Sequence, residues 1–269
     1  MIKLSTEQLA QILQAKLIGD KNVQVEEINT DTRKSVSNSL FFALKGEKFD
    51  AHQYLEQAVA QGAVAVVVQQ ENSSIFVPQL VVKDTRIALG ELAKWLREKI
   101  NPRTVAMTGS SGKTTVKEMT ASILQHTAGD SEAVLFTNGN FNNDIGVPLT
   151  LLRLTEKHRF AVIELGANHQ GEIDYTTKLA QPDAALINNI APAHLEGFGS
   201  LEGVAQAKGE IYRGLTSNGV PIINAEHNHL DCWQKEIGEH EIQYFNGKDY
   251  SAKDIHHTDQ GSSFILISP

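Results

Sequence analysis

The sequence is short of several things, and each shortage excludes a class of protein. It has one cysteine, Cys232, in 269 residues, so no internal disulfide framework is available and a reducing, cytoplasmic setting suits it. No apolar run comes near the roughly 20 residues needed to cross a bilayer. The longest is about Ala63-Val64-Ala65-Val66-Val67-Val68. Residues Met1 to Leu13 mix polar and apolar side chains at helical spacing, without the apolar block of a cleavable signal. Positive charge is in deficit: 24 Lys and Arg against 32 Asp and Glu leave a formal charge of -8. A nucleic-acid surface calls for a basic stripe, so an anionic ligand must be held here by local donors rather than a global field. What remains is ordinary globular composition, 41% hydrophobic and 21% charged.

The length allows one large domain or two ordinary ones. Ser5 and Gln8 form a capping-box pattern that predicts a helix running to about Lys16. Residues 23–28 and 40–44 read as strands, and a helix over about 52–61 stops at Gly62 before the valine run. A short strand at 79–82 is followed by a helix capped by Asp84 and broken at Asn101-Pro102. That dipeptide marks the expected boundary between a small α/β domain, residues 1–101, and a second domain, residues 102–269. Beyond it the pattern alternates. Strands are predicted at 104–108, 134–137, 160–165, 184–188, 220–224 and 242–245, with helices at 113–126, 171–179 and 200–215. Such alternation implies a mostly parallel sheet whose ligands sit at the carboxyl ends of its strands. Phe264-Ile265-Leu266-Ile267 reads as a last strand with nothing to pair or cover it, which argues that the second domain is incomplete and more protein follows.

The sharpest motif is Thr108-Gly109-Ser110-Ser111-Gly112-Lys113-Thr114-Thr115, entered from Val105-Ala106-Met107 and followed by a helical pattern. Glycines let backbone N–H groups turn toward phosphate oxygens, and a helix N-terminus adds a favourable dipole. Lys113 can reach the outer phosphates and the Thr114 hydroxyl suits Mg²⁺. The full Walker pattern places another glycine five residues before Gly112, where this chain has Met107.

Other residues support two readings each. Glu164 ends the apolar strand Phe160-Ala161-Val162-Ile163-Glu164, as a Mg²⁺ ligand or as an ordinary strand-end carboxylate. His194 follows the next strand, as a metal-binding imidazole or a hydrogen-bonded one. Lys208 lies mid-helix, where composition alone reads a solvated lysine. The turn Asn138-Gly139-Asn140-Phe141-Asn142-Asn143-Asp144 is rich in amides, through turn chemistry or polar-ligand recognition.

Together these segments resemble the Mur ligase family, whose phosphate loop also lacks the extra glycine. The resemblance is carried by Thr30-Asp31-Thr32-Arg33, by residues 43–52 (ALKGEKFDAH), by residues 139–148 (GNFNNDIGVP), by Glu164-Leu165-Gly166-Ala167-Asn168-His169 and by residues 193–198 (AHLEGF). It implies an ATP- and Mg²⁺-dependent ligase that adds D-alanyl-D-alanine to UDP-N-acetylmuramoyl-tripeptide through an acyl phosphate, acting as a monomer. The first domain would bind the uridine nucleotide through Thr32, Arg33, Lys45 and Gly46. Asn140, Asn142, Asn143, Asn168 and His169 would lie near the muramoyl peptide. Gly109, Ser110, Ser111, Gly112, Lys113, Thr114 and Thr115 would hold ATP. Thr114 and Glu164 would hold one Mg²⁺, His194 and a carbamylated Lys208 a second, with Lys113, His194 and Lys208 catalytic. Another Mur ligase, a folylpolyglutamate synthase-like ligase, a P-loop switch ATPase and a non-catalytic UDP-substrate-binding module are the competing expectations.

Overall fold

The computed structural model describes residues 3–46, 49–192, 195–227, 229–247 and 249–269. The chain divides into two compact units, residues 1–101 with 144–157, and residues 102–143 with 158–269.

The first unit opens with β1 (Leu4–Ser5) and α1 (Thr6–Leu13). The capping box forms as the sequence predicts, with Ser5 Oγ accepting from Gln8 N and Gln8 Oε1 from Ser5 N. The helix ends earlier than expected, at the left-handed Gln14, and Lys16 already belongs to β2 (Lys16–Ile18). Then come β3 (Gln24–Val25), β4 (Glu27–Asn29), β5 (Ser39–Phe42), α2 (Leu55–Ala60), β6 (Ala63–Val68), β7 (Gln79–Val81) and α3 (Thr85–Ile100). The main sheet runs β2-β7-β6-β5-β4, parallel except for β2. Its continuous apolar strands are those of a sheet covered on both faces; Leu40, Phe41, Val66, Val67 and Val68 are buried.

The second unit continues with β8 (Arg103–Thr108), α4 (Lys113–Ala128) and β9 (Val134–Phe136). The chain then forms α5 (Gly146–Leu151), which is counted with the first unit and packs on α3. The sequence-based boundary put all of 102–269 in one domain, and this segment corrects it. Val147, Pro148, Leu151, Leu152 and Leu154 are all buried, so the helix is apolar nearly all round and needs cover on several sides. The second unit resumes with β10 (Phe160–Glu164), α6 (Glu172–Ala180), β11 (Ala184–Ile187), α7 (Leu195–Phe198), α8 (Leu201–Gly209), β12 (Val220–Asn224), α9 (Leu230–Ile237) and β13 (Gln243–Phe245). The helix expected over 200–215 is two pieces, since a 3₁₀ segment, Glu210–Gly214, follows α8. Six parallel strands stand in the order β13-β12-β11-β8-β10-β9, with β8 central, as the strand–turn–helix alternation predicts.

The last two strands, β14 (Ser251–Thr258) and β15 (Gly261–Ile267), pair as an antiparallel hairpin. The terminal strand therefore has a partner that the sequence reading did not supply. Its apolar side chains Phe264, Ile265, Leu266 and Ile267 remain exposed. Among the described residues no helix is long and apolar enough to cross a membrane.

Candidate functional site

The phosphate loop joins β8 to α4. Met107, which stands where a Walker glycine would, is a strand residue buried against Ala121, Val134 and Val162. The turn therefore begins later and is shorter, and no glycine is needed at that position. Gly112 is needed: it caps α4 with φ +71°, and a Cβ there would meet Asn188 Nδ2 at 2.8 Å.

The loop is held from the carboxyl end of β11. Asn188 Nδ2 donates to Ser111 O at 2.9 Å, and Ser111 N donates to Asn189 Oδ1 at 3.0 Å. Ser110 Oγ donates to Ala191 O at 2.8 Å. Sequence reading placed the segment after β11 on the ligand side but did not single out Asn188 or Asn189. Their signal was the Asn-Asn pair at the end of the strand predicted over 184–188.

Lys113 lies back over the loop, its Nζ donating to Gly109 O at 2.9 Å. Thr114 Oγ1 donates to Glu164 Oε2 at 3.0 Å, and Asn142 Nδ2 donates to Glu164 Oε1 at 2.8 Å. Glu164 is buried, and its carboxylate accepts from these two neutral donors; a bound cation would offset the cost of burying its charge. A cleft of about 410 Å³ brings together Gly112, Lys113, Thr114, Thr115, Asn140, Asn142 and Glu164. Two sequence expectations thus share one place, since Asn140 and Asn142 line the phosphate-loop cleft. Asn143, Asn168 and His169 are exposed, and Asn168 N donates to Glu172 Oε2 at 2.8 Å. His194 falls outside the described residues.

This donor set suits Mg²⁺. It offers one hydroxyl and one carboxylate, both hard oxygens, beside a phosphate loop. Among the described residues no cluster of three His, Cys, Asp or Glu could form a cage. Mg²⁺ is commonly held by one or two carboxylates, with phosphates and water completing the octahedron.

Lys208, which composition alone would leave in solvent, is buried on α8 at 2% exposure. Burial lowers its pKa from 10.5 to about 8, and repulsion from Lys113 adds to the shift. The sign follows: the folded protein holds this proton more weakly than the unfolded chain, so the destabilisation is full below pH 8 and fades as pH rises toward 10.5. In CO₂-free buffer, Lys208→Met is expected to stabilise the protein at pH 7, by up to about 3 kcal/mol. Urea unfolding at pH 7 and pH 10 measures this, and the gain should shrink at the higher pH.

The first unit has its own cleft, about 470 Å³, whose lining includes Thr30, Asp31, Thr32, Arg33, Phe49 and Tyr54. Arg33 Nε and Nη2 donate to the two Asp31 oxygens, both at 2.8 Å. This fork holds Asp31 well below the usual carboxylate range, at about 2, and raises Arg33. The Phe49 and Tyr54 rings stack at 5.4 Å and 13°. Sequence reading missed this pair, although Phe49 stood inside a quoted string. Lys45 is not on this cleft; it lines a second one of about 390 Å³ with Asp50 and His52. Gly46 N donates to Phe49 O at 2.8 Å, which closes the turn that carries Phe49.

Comparisons with known proteins point to one family. The Mur ligase middle domain matches residues 107–269, and a further Mur ligase family domain model, described as catalytic, matches residues 24–99. A UDP-N-acetylmuramoyl-tripeptide–D-alanyl-D-alanine ligase of Haemophilus influenzae is 91% identical over 269 residues, covering 100% of this chain and 59% of the relative. A crystal structure of MurF from Acinetobacter baumannii superposes with a TM-score of 0.89 at 42% identity, over 98% of this chain and 60% of the other. A MurF ligase from Thermotoga maritima, in complex with ADP, superposes with a TM-score of 0.80 at 27% identity, over 91% of this chain and 56% of the other. This chain thus spans about three fifths of the length of the relatives it matches. With a β8–α4 phosphate loop of the short type and a domain model covering residues 107–269, the chain belongs to the Mur ligase family.

Proposed function

We propose that this chain forms the substrate- and ATP-binding part of an amide ligase that joins D-alanyl-D-alanine to UDP-N-acetylmuramoyl-tripeptide in peptidoglycan synthesis. The observation that carries the proposal is the Thr114–Glu164 pair, 3.0 Å apart at the mouth of a phosphate loop. The 91% identity to a ligase of that name supports the choice of substrates.

A carboxylate is a poor electrophile, and phosphorylation supplies its leaving group. The tripeptide's terminal carboxylate oxygen attacks the γ-phosphorus of ATP, the bond to the β-phosphate oxygen breaks, and ADP leaves. The amine of D-alanyl-D-alanine then attacks the acyl carbon, inorganic phosphate leaves with the electron pair, and the amine gives up a proton. The protein's task is to position the groups and neutralise charge. The loop amides and the α4 N-terminus receive the phosphates, and Lys113 follows the charge that moves onto the β–γ bridging oxygen. Thr114 and Glu164 would hold Mg²⁺, which supplies further neutralisation on the phosphate oxygens. Lys208, with a pKa of about 8, has neutral amine available for CO₂ near physiological pH. Its carbamate would turn a buried cation into an anionic oxygen ligand, which together with His194 would hold a second Mg²⁺. In the first unit, Thr32 and the Asp31-fixed Arg33 would contact the uridine diphosphate, with Phe49 and Tyr54 offering a stacking face. Lys45 and Gly46 act from the adjoining turn, and Asn143, Asn168 and His169 serve the muramoyl peptide. The enzyme acts as a monomer in the cytoplasm.

Calorimetry with UDP-N-acetylmuramoyl-tripeptide tests the first half of this reading. Binding is expected, and Arg33→Ala should weaken it roughly tenfold, the worth of one charge-assisted hydrogen bond. No binding to the unsubstituted chain would overturn it. For Lys208, ¹³C-bicarbonate should give a carbamate NMR resonance that Lys208→Met removes.

A further inference from the structure

Lys117 occupies a position where an apolar residue is expected. It lies on the buried face of α4 with Ala121 and Leu124, spaced 117, 121, 124, next to a cluster of Met107, Val134 and Val162. Yet its side chain is 1% exposed. The ammonium donates to Thr137 O at 2.7 Å, pairs with the half-exposed Glu118 at 2.7 Å and sits 5.7 Å from the Phe136 ring. A buried ammonium is expensive even when paired, so its retention here calls for a reason other than packing.

That reason lies in what Thr137 does. Strand β9 ends at Phe136, while its neighbour β10 runs on to Glu164. Thr137 N still donates to Val162 O at 3.1 Å. The next β10 amide on this side, Glu164 N, donates not to a backbone carbonyl but to Thr137 Oγ1, at 3.0 Å, while Thr137 O accepts from Lys117. A hydroxyl thus extends the ladder by one rung, to the residue whose carboxylate faces Thr114. The Lys117 ammonium fixes the Thr137 peptide from its other side. Thr114 and Lys117 are one turn apart on α4, so the contacts close a ring from α4 through Thr137 and Glu164 back to α4.

We infer that Lys117 is a positioning residue that, through Thr137, sets the Glu164 carboxylate against the Thr114 hydroxyl for divalent-cation binding. The inference rests on the reading of Thr114 and Glu164 as the Mg²⁺ pair. Thr137 stands one step behind the metal ligand and Lys117 two; partners one step behind typically change metal affinity by ten- to a hundredfold when removed.

The test is ADP binding to the whole chain by calorimetry, in EDTA and again with Mg²⁺. In Lys117→Met and Thr137→Val, ADP affinity in EDTA is expected to stay unchanged, while its enhancement by Mg²⁺ falls roughly tenfold or more. Thr137→Ser keeps the hydroxyl and should retain the enhancement. A general loosening of the fold would instead lower both affinities and the thermal midpoint. If Lys117→Met does not fold, the Thr137→Val and Thr137→Ser pair decides. Wild-type Mg²⁺ enhancement in Lys117→Met or in Thr137→Val, while Glu164→Gln has lost it, overturns the inference alone. If Glu164→Gln also keeps it, the metal-pair reading fails and the inference falls with it.

Discussion

Lys113→Ala is expected to weaken ADP binding roughly ten- to a hundredfold, the range for hydrogen bonds to charged groups. In protein spanning the full length of its relatives, ADP release should fall by at least about 10²–10³, as when one preorganised donor to developing charge is lost. The loop's amides and the α4 N-terminus survive the change, so some phosphate affinity remains; what disappears is the Lys113 ammonium. Its tip lies on Gly109 O at 2.9 Å, an arrangement a compact ammonium can leave for phosphate without rebuilding the loop. Arginine should not substitute, because its planar fork needs a different cradle. The change has a second readout. Lys113 is one of two causes holding the Lys208 pKa at about 8, the larger being burial, so Lys113→Ala should raise that pKa in an NMR titration. Near-wild-type ADP affinity in the variant would remove Lys113 from the site.

Glu164→Gln should separate function from stability. The carboxylate accepts from Thr114 Oγ1 and Asn142 Nδ2 and is 2% exposed. Glutamine is nearly the same shape but neutral, with a donor where one oxygen stood. The enhancement of ADP binding by Mg²⁺ should be lost, by roughly a hundredfold, since Mg²⁺ sites of this kind depend on very few carboxylates. The thermal midpoint in EDTA should hold or rise, because a buried carboxylate held by the neutral Thr114 and Asn142 donors has been removed. A lowered midpoint together with unchanged Mg²⁺ enhancement would make Glu164 a structural residue.

Much of this was legible because the relevant chemistry is local. A strand, a Gly-Ser turn and a helix fix the phosphate loop within a dozen residues, and the Ser5 and Asp84 caps act over three residues. The alternation after Pro102 predicted the parallel sheet. What the sequence hid was long-range. Lys208 reads as solvated because nothing adjacent reveals that α8 is buried. Lys117 breaks an apolar stripe, and its partner Thr137 is 20 residues away. Glu164 and Asn142 meet across 22 residues and Ser111 and Asn188 across 77. Segment 144–157 was assigned by its place in the chain, whereas its all-round apolar surface decided where it packs. The terminal strand looked unpaired because the more polar Ser251–Thr258 offers no apolar pattern to announce β14.

The most direct test of the account is ADP release by protein spanning the full length of its relatives, supplied with ATP, Mg²⁺, UDP-N-acetylmuramoyl-tripeptide and D-alanyl-D-alanine. Sustained release should require both the muramoyl tripeptide and the dipeptide, and Lys113→Ala should abolish it. Release that continues with both omitted would contradict the account and leave an ATPase without a ligation step.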